Sequence, residues 1–221
     1  MCSIYGSFNS TMNEILYDAN KARGLFASSF ICILNDKTIQ CIQQEGHPRN
    51  MDELKPGPTD VIYLGHNQAP TSAKHGYSKA TSHPFQYKNW MVAHNGVLTN
   101  WKELNMQYTP YNKNPVDTSV IPAMLAAYKA ENPDISNKTI IRTILNRLEG
   151  TFALWILDTT DPYNVYLARQ GSTLFANKTG SFSSIQGNGW EELQEGKIYL
   201  MANNTITEVE NFTNKTPFLV I

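Results

Sequence analysis

Cys2, directly after the initiator methionine, is the first residue whose type and position could do chemistry. The chain opens Met1-Cys2-Ser3-Ile4-Tyr5-Gly6. A residue this small beside the initiator permits Met removal, which leaves Cys2 with a free α-amine. That amine titrates at roughly 7.7–8, so it can take up a proton at neutral pH. One residue then carries both a thiol nucleophile and its own base. The bland reading is a small apolar residue at a frayed end. Ser3 to Gly6 reads as a strand, which would hold the terminus in a sheet. The second element is Ala93-His94-Asn95-Gly96, at the close of an apolar run from Asn89 to Ala93. As structure, Asn-Gly is a hairpin turn. As chemistry, the Asn95 amide and the Gly96 N–H converge on one oxygen as an oxyanion hole. Both readings stay open on the tripeptide alone.

Other chemistries find no support. The chain has no phosphate loop, no GxGxxG, no HExxH and no GxSxG nucleophile elbow. His47, His66, His75, His83 and His94 lack helical ligand spacing, and Cys2, Cys32 and Cys41 lack CxxC spacing. No metal site is expected, and no disulfide framework. Lys plus Arg number 18 against 19 Asp plus Glu, for a net charge of −1. That balance lacks the basic excess of nucleic-acid binders. No apolar run approaches the roughly 20 residues of a membrane helix, and no signal peptide opens the chain. A cytoplasmic location is the expectation.

The elements that must position these residues are mostly strands. Residues 1–221 fit one domain, and 41% hydrophobic residues suffice for a core. β-branched and aromatic runs mark strands at Phe30 to Leu34, Asp60 to Gly65, Trp90 to Ala93, Thr151 to Leu157 and Asn164 to Ala168. Ile198 to Met201 and Thr205 to Val209 flank an Asn203-Asn204 hairpin turn. Thr11-Met12-Asn13-Glu14 has capping-box spacing before a stripe of Ile15, Leu16 and Ala19. A second helix is expected from Thr118 to Ala130, with Pro122 tolerated in its first turn. A third runs from Asn137 to Leu148, with Gly150 as its C-cap. Helices layered on antiparallel sheets follow from this order.

Taken together, these segments resemble a family, the class II glutamine amidotransferases, which are N-terminal-nucleophile (Ntn) hydrolases. The glutaminase domain of glucosamine-6-phosphate synthase is a member. The matches run in the family's order across nearly the whole chain. Met-Cys-Ser-Ile-Tyr-Gly comes first, then Arg23-Gly24 with Ser28. Gly65-His66-Asn67-Gln68-Ala69-Pro70-Thr71 resembles the GHxRxxT segment. His83-Pro84-Phe85 leads into His94-Asn95-Gly96. Asp117-Thr118 resembles the DTE/DSE segment, Leu148 to Ala153 the L.G.[YF]A strand, and Phe182-Ser183-Ser184 the late F.AS[ED] segment. Two positions depart. Gln68 stands where the family has arginine, and Ile185 where it has an acid.

The resemblance implies an α+β fold, a four-layer αββα sandwich of two antiparallel sheets. It implies hydrolysis of the glutamine side-chain amide by Cys2, with Asn95 and Gly96 as oxyanion donors. Arg23, Gln68, Thr71, His94 and Asp117 become substrate-binding candidates. Asp117 would take the α-amine, and Thr71 and Gln68 would face the α-carboxylate. No metal or organic cofactor is implied. The chain reaches residue 221 with the glutaminase fold just complete, so a separate ammonia-accepting synthase or ligase is the expected partner. The stretch Ala73 to Thr81 reads as a lid or as a plain surface loop. Two alternatives stand beside this reading: another N-terminal-cysteine amidase or acylase, and a non-catalytic binding module that kept the fold.

Overall fold

Strand β1 (Ser3–Ser7) is buried along its whole length. Its alternating side chains serve two different cores. Ile4 faces a cluster with Ile31, Leu64, Ala93 and Trp155, whereas Tyr5 packs with Leu16, Tyr17 and Phe30. That two-sided burial defines the architecture. The computed structural model describes residues 2–24, 26–47, 60–69, 78–108 and 116–214.

The first sheet joins β1 to β2 (Ala27–Leu34), β3 (Ile39–Glu45) and β4 (Asp60–Gln68), and also to the short β9 (Phe175–Ala176), β10 (Phe182–Ser183) and β11 (Glu191–Glu192). Its order among the described residues is β11-β9-β10-β1-β4-β2-β3. The second sheet contains β5 (Phe85–Tyr87), β6 (Trp90–Leu98), β7 (Gly150–Asp158), β8 (Val165–Gln170), β12 (Lys197–Ala202) and β13 (Thr205–Asn211). Its order is β13-β12-β8-β7-β6-β5. The strand pairs in both sheets are antiparallel.

The sheets pack face to face. Met91 and Ala93 of β6 turn toward Ile4 and Leu64, while Trp90 and Val92 turn the other way toward helices. Helix α1 (Ser10–Asn20) covers the first sheet. Helices α2 (Trp101–Gln107), α3 (Val120–Glu131) and α4 (Asn137–Leu145) cover the second. The result is the four-layer αββα sandwich. In α4 the 3.6-residue period puts Ile140, Ile141, Ile144 and Leu145 inside, and Ser136 caps the start by accepting from the Thr139 N–H. Each such side chain, fully buried, is worth about 1.5–3 kcal/mol.

Several local expectations shift. The cap of α1 is Asn9, whose side chain accepts from the Met12 N–H at 2.9 Å, so the helix starts before Thr11. Its buried stripe is Leu16, Tyr17 and Asn20; Ile15 is 56% exposed. Helix α4 stops at Leu145, and Gly150 opens β7 instead of capping the helix. Gly150 has φ +119, and a Cβ there would lie 2.2 Å from the Val97 carbonyl oxygen. Asn95-Gly96 is not a turn. Strand β6 continues to Leu98, with Asn95 opposite Ala153 and Gly96 opposite Phe152. The Asn203-Asn204 hairpin forms as expected, both residues at positive φ.

Candidate active site

Three parts of the chain meet around Ser184. The Ile4 N–H donates to Ser184 Oγ at 3.0 Å, and the Ser184 N–H returns a bond to the Ile4 carbonyl at 2.9 Å. From the facing sheet, Asn95 Nδ2 donates to the same Oγ at 3.3 Å. A hydroxyl oxygen has two lone pairs, and both are engaged here. The Ser184 carbonyl accepts from Thr173 Oγ1 at 2.9 Å, and Arg23 Nη1 donates to that Oγ1 at 3.3 Å. Ser184 and Asn95 are buried, so these bonds are shielded from competing water. The arrangement ties Cys2, Asn95 and Arg23 to one frame.

Cys2 sits just before β1, half-buried and free of any disulfide. Burial pushes its thiol up, and the Asp117 carboxylate pushes it the same way. The Ala69 backbone N–H and the positive charge of the chain's N-terminus act against both by favouring the thiolate. The net direction is upward, toward the protonated thiol. A nucleophile in that state needs a base to take its proton.

Gly96 adopts φ +152, and a Cβ there would fall 2.1 Å from the Thr151 carbonyl oxygen and 2.7 Å from His94 Nε2. Only glycine fits. Asn95 Nδ2 retains a second hydrogen beyond the one given to Ser184.

Asp117 lies in a short 3-10 turn (Asp117–Ser119) that leads into α3. Its Oδ2 accepts from the Leu98 N–H at 3.1 Å and its Oδ1 from the Thr118 N–H at 2.7 Å. The carboxylate remains 23% exposed. Its charge therefore faces the end of β6 that carries Asn95 and Gly96.

His94 is built in on both nitrogens. Nε2 lies 3.1 Å from the Thr151 carbonyl oxygen, which can only accept, so Nε2 carries the proton. Nδ1 lies 3.0 Å from Thr118 Oγ1. Burial pushes the ring's pKa down, against the Asp117 carboxylate and the Thr151 carbonyl. Thr118 Oγ1 also meets His83 Nε2 at 3.0 Å, and His83 stacks on His66 at 4.0 Å between ring centres. His66 Nε2 in turn donates to the His94 carbonyl at 3.1 Å. Among the described residues no group of three or more His, Cys, Asp and Glu side chains is placed to hold a metal ion.

Gln68 ends β4, buried, with Nε2 donating to the Thr81 carbonyl at 3.2 Å. Thr71 and residues 73–77 of the Ala73 to Thr81 stretch lie outside the described residues. The structure thus places Cys2, Arg23, Gln68, Asn95, Gly96, His94 and Asp117 around one end of the sandwich. Ser184, Thr173 and Thr118 are the connecting residues that residue types alone did not single out. Ser184 and Thr118 lie in segments quoted for the family resemblance, and that is the only sequence signal for them.

No protein-family model matches the chain. Glutamine–fructose-6-phosphate aminotransferase from Listeria monocytogenes is 25% identical over 202 residues, covering 88% of this chain and 33% of that protein. The 7-cyano-7-deazaguanine synthase of Saccharolobus solfataricus is 25% identical over 227 residues, covering 96% of this chain and 47% of the relative. A structure of the allosteric regulatory enzyme of purine biosynthesis superposes with a TM-score of 0.75 at 18% identity, over 96% of this chain and 49% of that one. A glutamine aminotransferase class-II domain protein from Silicibacter pomeroyi gives 0.60 at 15% identity, over 96% of this chain and 99% of that one. The chain has the class II glutamine amidotransferase fold. It spans a third to a half of the curated relatives it matches. Within that fold, β1 lies in the middle of the first sheet, between β10 and β4, and Cys2 directly precedes it. No helix among the described residues is long and apolar enough to cross a membrane.

Proposed function

We propose that this chain hydrolyses the side-chain amide of glutamine, with Cys2 as nucleophile after removal of Met1. The observation that carries the reading is the shared Ser184 hydroxyl, which holds the strand behind Cys2 and the Asn95 amide in one frame. The Cys2 α-amine takes the thiol proton as sulfur bonds to the amide carbon. The carbonyl oxygen becomes an oxyanion, which accepts from Asn95 Nδ2 and the Gly96 N–H. The amine returns the proton to the leaving nitrogen, the C–N bond breaks, and ammonia departs from a thioester. Water then adds to the thioester, giving its proton to the same amine, and glutamate and the free thiol result.

In this reading Asp117 receives the substrate α-amine through its exposed edge. Arg23 supports the frame through Thr173, and Thr71 lies toward the α-carboxylate. His94 acts through others: both its nitrogens are engaged by Thr151 and Thr118, so it braces β6 beside Gly96 against β7 and holds the turn at Asp117. The ammonia passes to a separate synthase or ligase.

Cys2→Ala tests the assignment. Glutamate release is lost while the urea unfolding midpoint stays in place. A glutamine-like electrophile labels Cys2 and spares Cys32 and Cys41. Labelling confined to Cys32 or Cys41 overturns the assignment.

A further inference from the structure

Three groups surround the Thr118 hydroxyl, and it has one proton to give. His94 Nδ1 lies 3.0 Å from Thr118 Oγ1, His83 Nε2 3.0 Å and Asp117 Oδ1 3.2 Å. Thr118, His83 and His94 are buried. The neighbours fix where the proton goes. The Thr151 carbonyl can only accept, so His94 carries its own proton on Nε2. Burial keeps that ring neutral, which leaves Nδ1 a bare acceptor. Among the described residues, Thr118 supplies its hydrogen-bond donor. Asp117 Oδ1 competes for the same proton, but it already accepts from the Thr118 N–H at 2.7 Å and belongs to a carboxylate open to water. The proton therefore goes to His94. The Thr118 oxygen then accepts from His83 Nε2, which makes His83 Nδ1 the bare nitrogen of its ring. That atom is buried without a partner, as this tautomer requires.

We propose that Thr118 is a positioning residue for substrate binding: its hydroxyl proton occupies His94 Nδ1, so the Asp117 carboxylate stays unpaired for the substrate α-amine. The inference rests on the glutaminase reading above. His94 Nδ1 lies only 3.9 Å from Asp117 Oδ2. Without the Thr118 donor, Nδ1 is an orphaned acceptor, and taking a proton relieves it. The imidazolium so formed pairs with Asp117 and spends the charge that the α-amine needs. The groups facing His94 leave Asp117 to decide the outcome. His66, whose Nε2 donates to the His94 carbonyl, and His83 are both kept neutral by burial. Cys2 shares the field of Asp117 as a protonated thiol.

Thr118→Val tests this with two substrates, L-glutamine and glutaramate, which is glutamine without its α-amine. The variant is expected to raise KM for L-glutamine by about 5–30-fold, the worth of a charge-assisted hydrogen bond over a neutral one, with kcat little changed. Glutaramate makes no call on Asp117, so its kcat/KM stays in place. The penalty on glutamine shrinks as the pH rises from 6 to 8.5, because His94 gives up the extra proton. Thr118→Ser keeps the hydroxyl and restores KM. Equal losses on both substrates, no loss on either, or a loss on glutamine that ignores pH overturns the inference and leaves the glutaminase reading standing. The nitrogen-15 shifts of the His94 ring in the unmodified protein decide the same question without a variant. Nδ1 is expected to be unprotonated at pH 7, and a protonated Nδ1 overturns the inference. Hydrolysis of neither compound by the unmodified protein overturns the glutaminase reading and the inference with it.

Discussion

The Asn95 side-chain amide and the Ile4 backbone N–H share one acceptor, the Ser184 hydroxyl, at 3.3 and 3.0 Å. Asn95 belongs to one sheet and Ile4 to the other, so the hydroxyl spans the sandwich. An amide free to rotate about its last bond would present nitrogen or oxygen to an oxyanion with little preference. Anchored to Ser184 through one hydrogen, it keeps the second aimed. Ser184→Ala should therefore lower kcat by on the order of 10-fold or more, with KM little changed. Ser184→Thr keeps the oxygen and should restore most of the rate. The structural alternative is loss of stability alone, which leaves kcat per folded molecule intact. Steady-state kinetics beside urea unfolding separates the two.

Asn95→Ala removes the donor itself. Loss of one such donor elsewhere lowers kcat by roughly 10²–10³, because the bond strengthens as charge develops. KM should change little. A large rise in KM with kcat intact would place Asn95 in ground-state binding. In the Ser184→Ala background, Asn95→Ala should cost much less than alone, since the two residues act as one unit.

The raised thiol calls for a base, and the proposed base is the terminal amine. Burial pushes the Cys2 thiol upward, so sulfur attacks as a base takes its proton. Protein that retains Met1 has its nearest free amine one residue away and should be inactive. Intact-mass measurement of active and inactive fractions checks this. Full activity from molecules that still carry Met1 would sink the single-residue mechanism.

The sequence made the frame legible where local physics dominates. The period of α4, the apolar runs of β2, β6 and β7 and the Asn203-Asn204 hairpin all followed from residue types. Asn95-Gly96 shows where local rules fail. Asn-Gly favours a tight turn, yet pairing with Ala153 and Phe152 carries the strand through it, and Gly96 accepts the φ that this requires. Nearby, the Asn9 cap displaced the expected Thr11 start because the β1 exit sets where α1 begins. Ser184 and Thr118 were invisible as site residues, since a lone Ser or Thr carries no spacing signal. Their roles depend on contacts 89 residues apart for Asn95–Ser184 and 35 for His83–Thr118.

Those buried histidines make stability depend on pH. Burial pushes the pKa of His66 down to about 3, that of His83 well below its ordinary value, and that of His94 down as well. In the unfolded chain each titrates near 6.5. Between that value and the lower folded one, the unfolded state binds protons that the folded state refuses. Stability is therefore full above about pH 6.5 and falls as the pH drops below it. The slope approaches about 1.4 kcal/mol per pH unit for each histidine kept neutral. Urea unfolding at pH 7.5, 6 and 5 should show that decline. The decline should be shallower in His66→Gln, which keeps a donor for the His94 carbonyl but no longer titrates. Equal stability at pH 7.5 and pH 5 would mean that these rings accept protons in the folded state, and the neutral His94 that orders Thr118 and Asp117 would have to be abandoned.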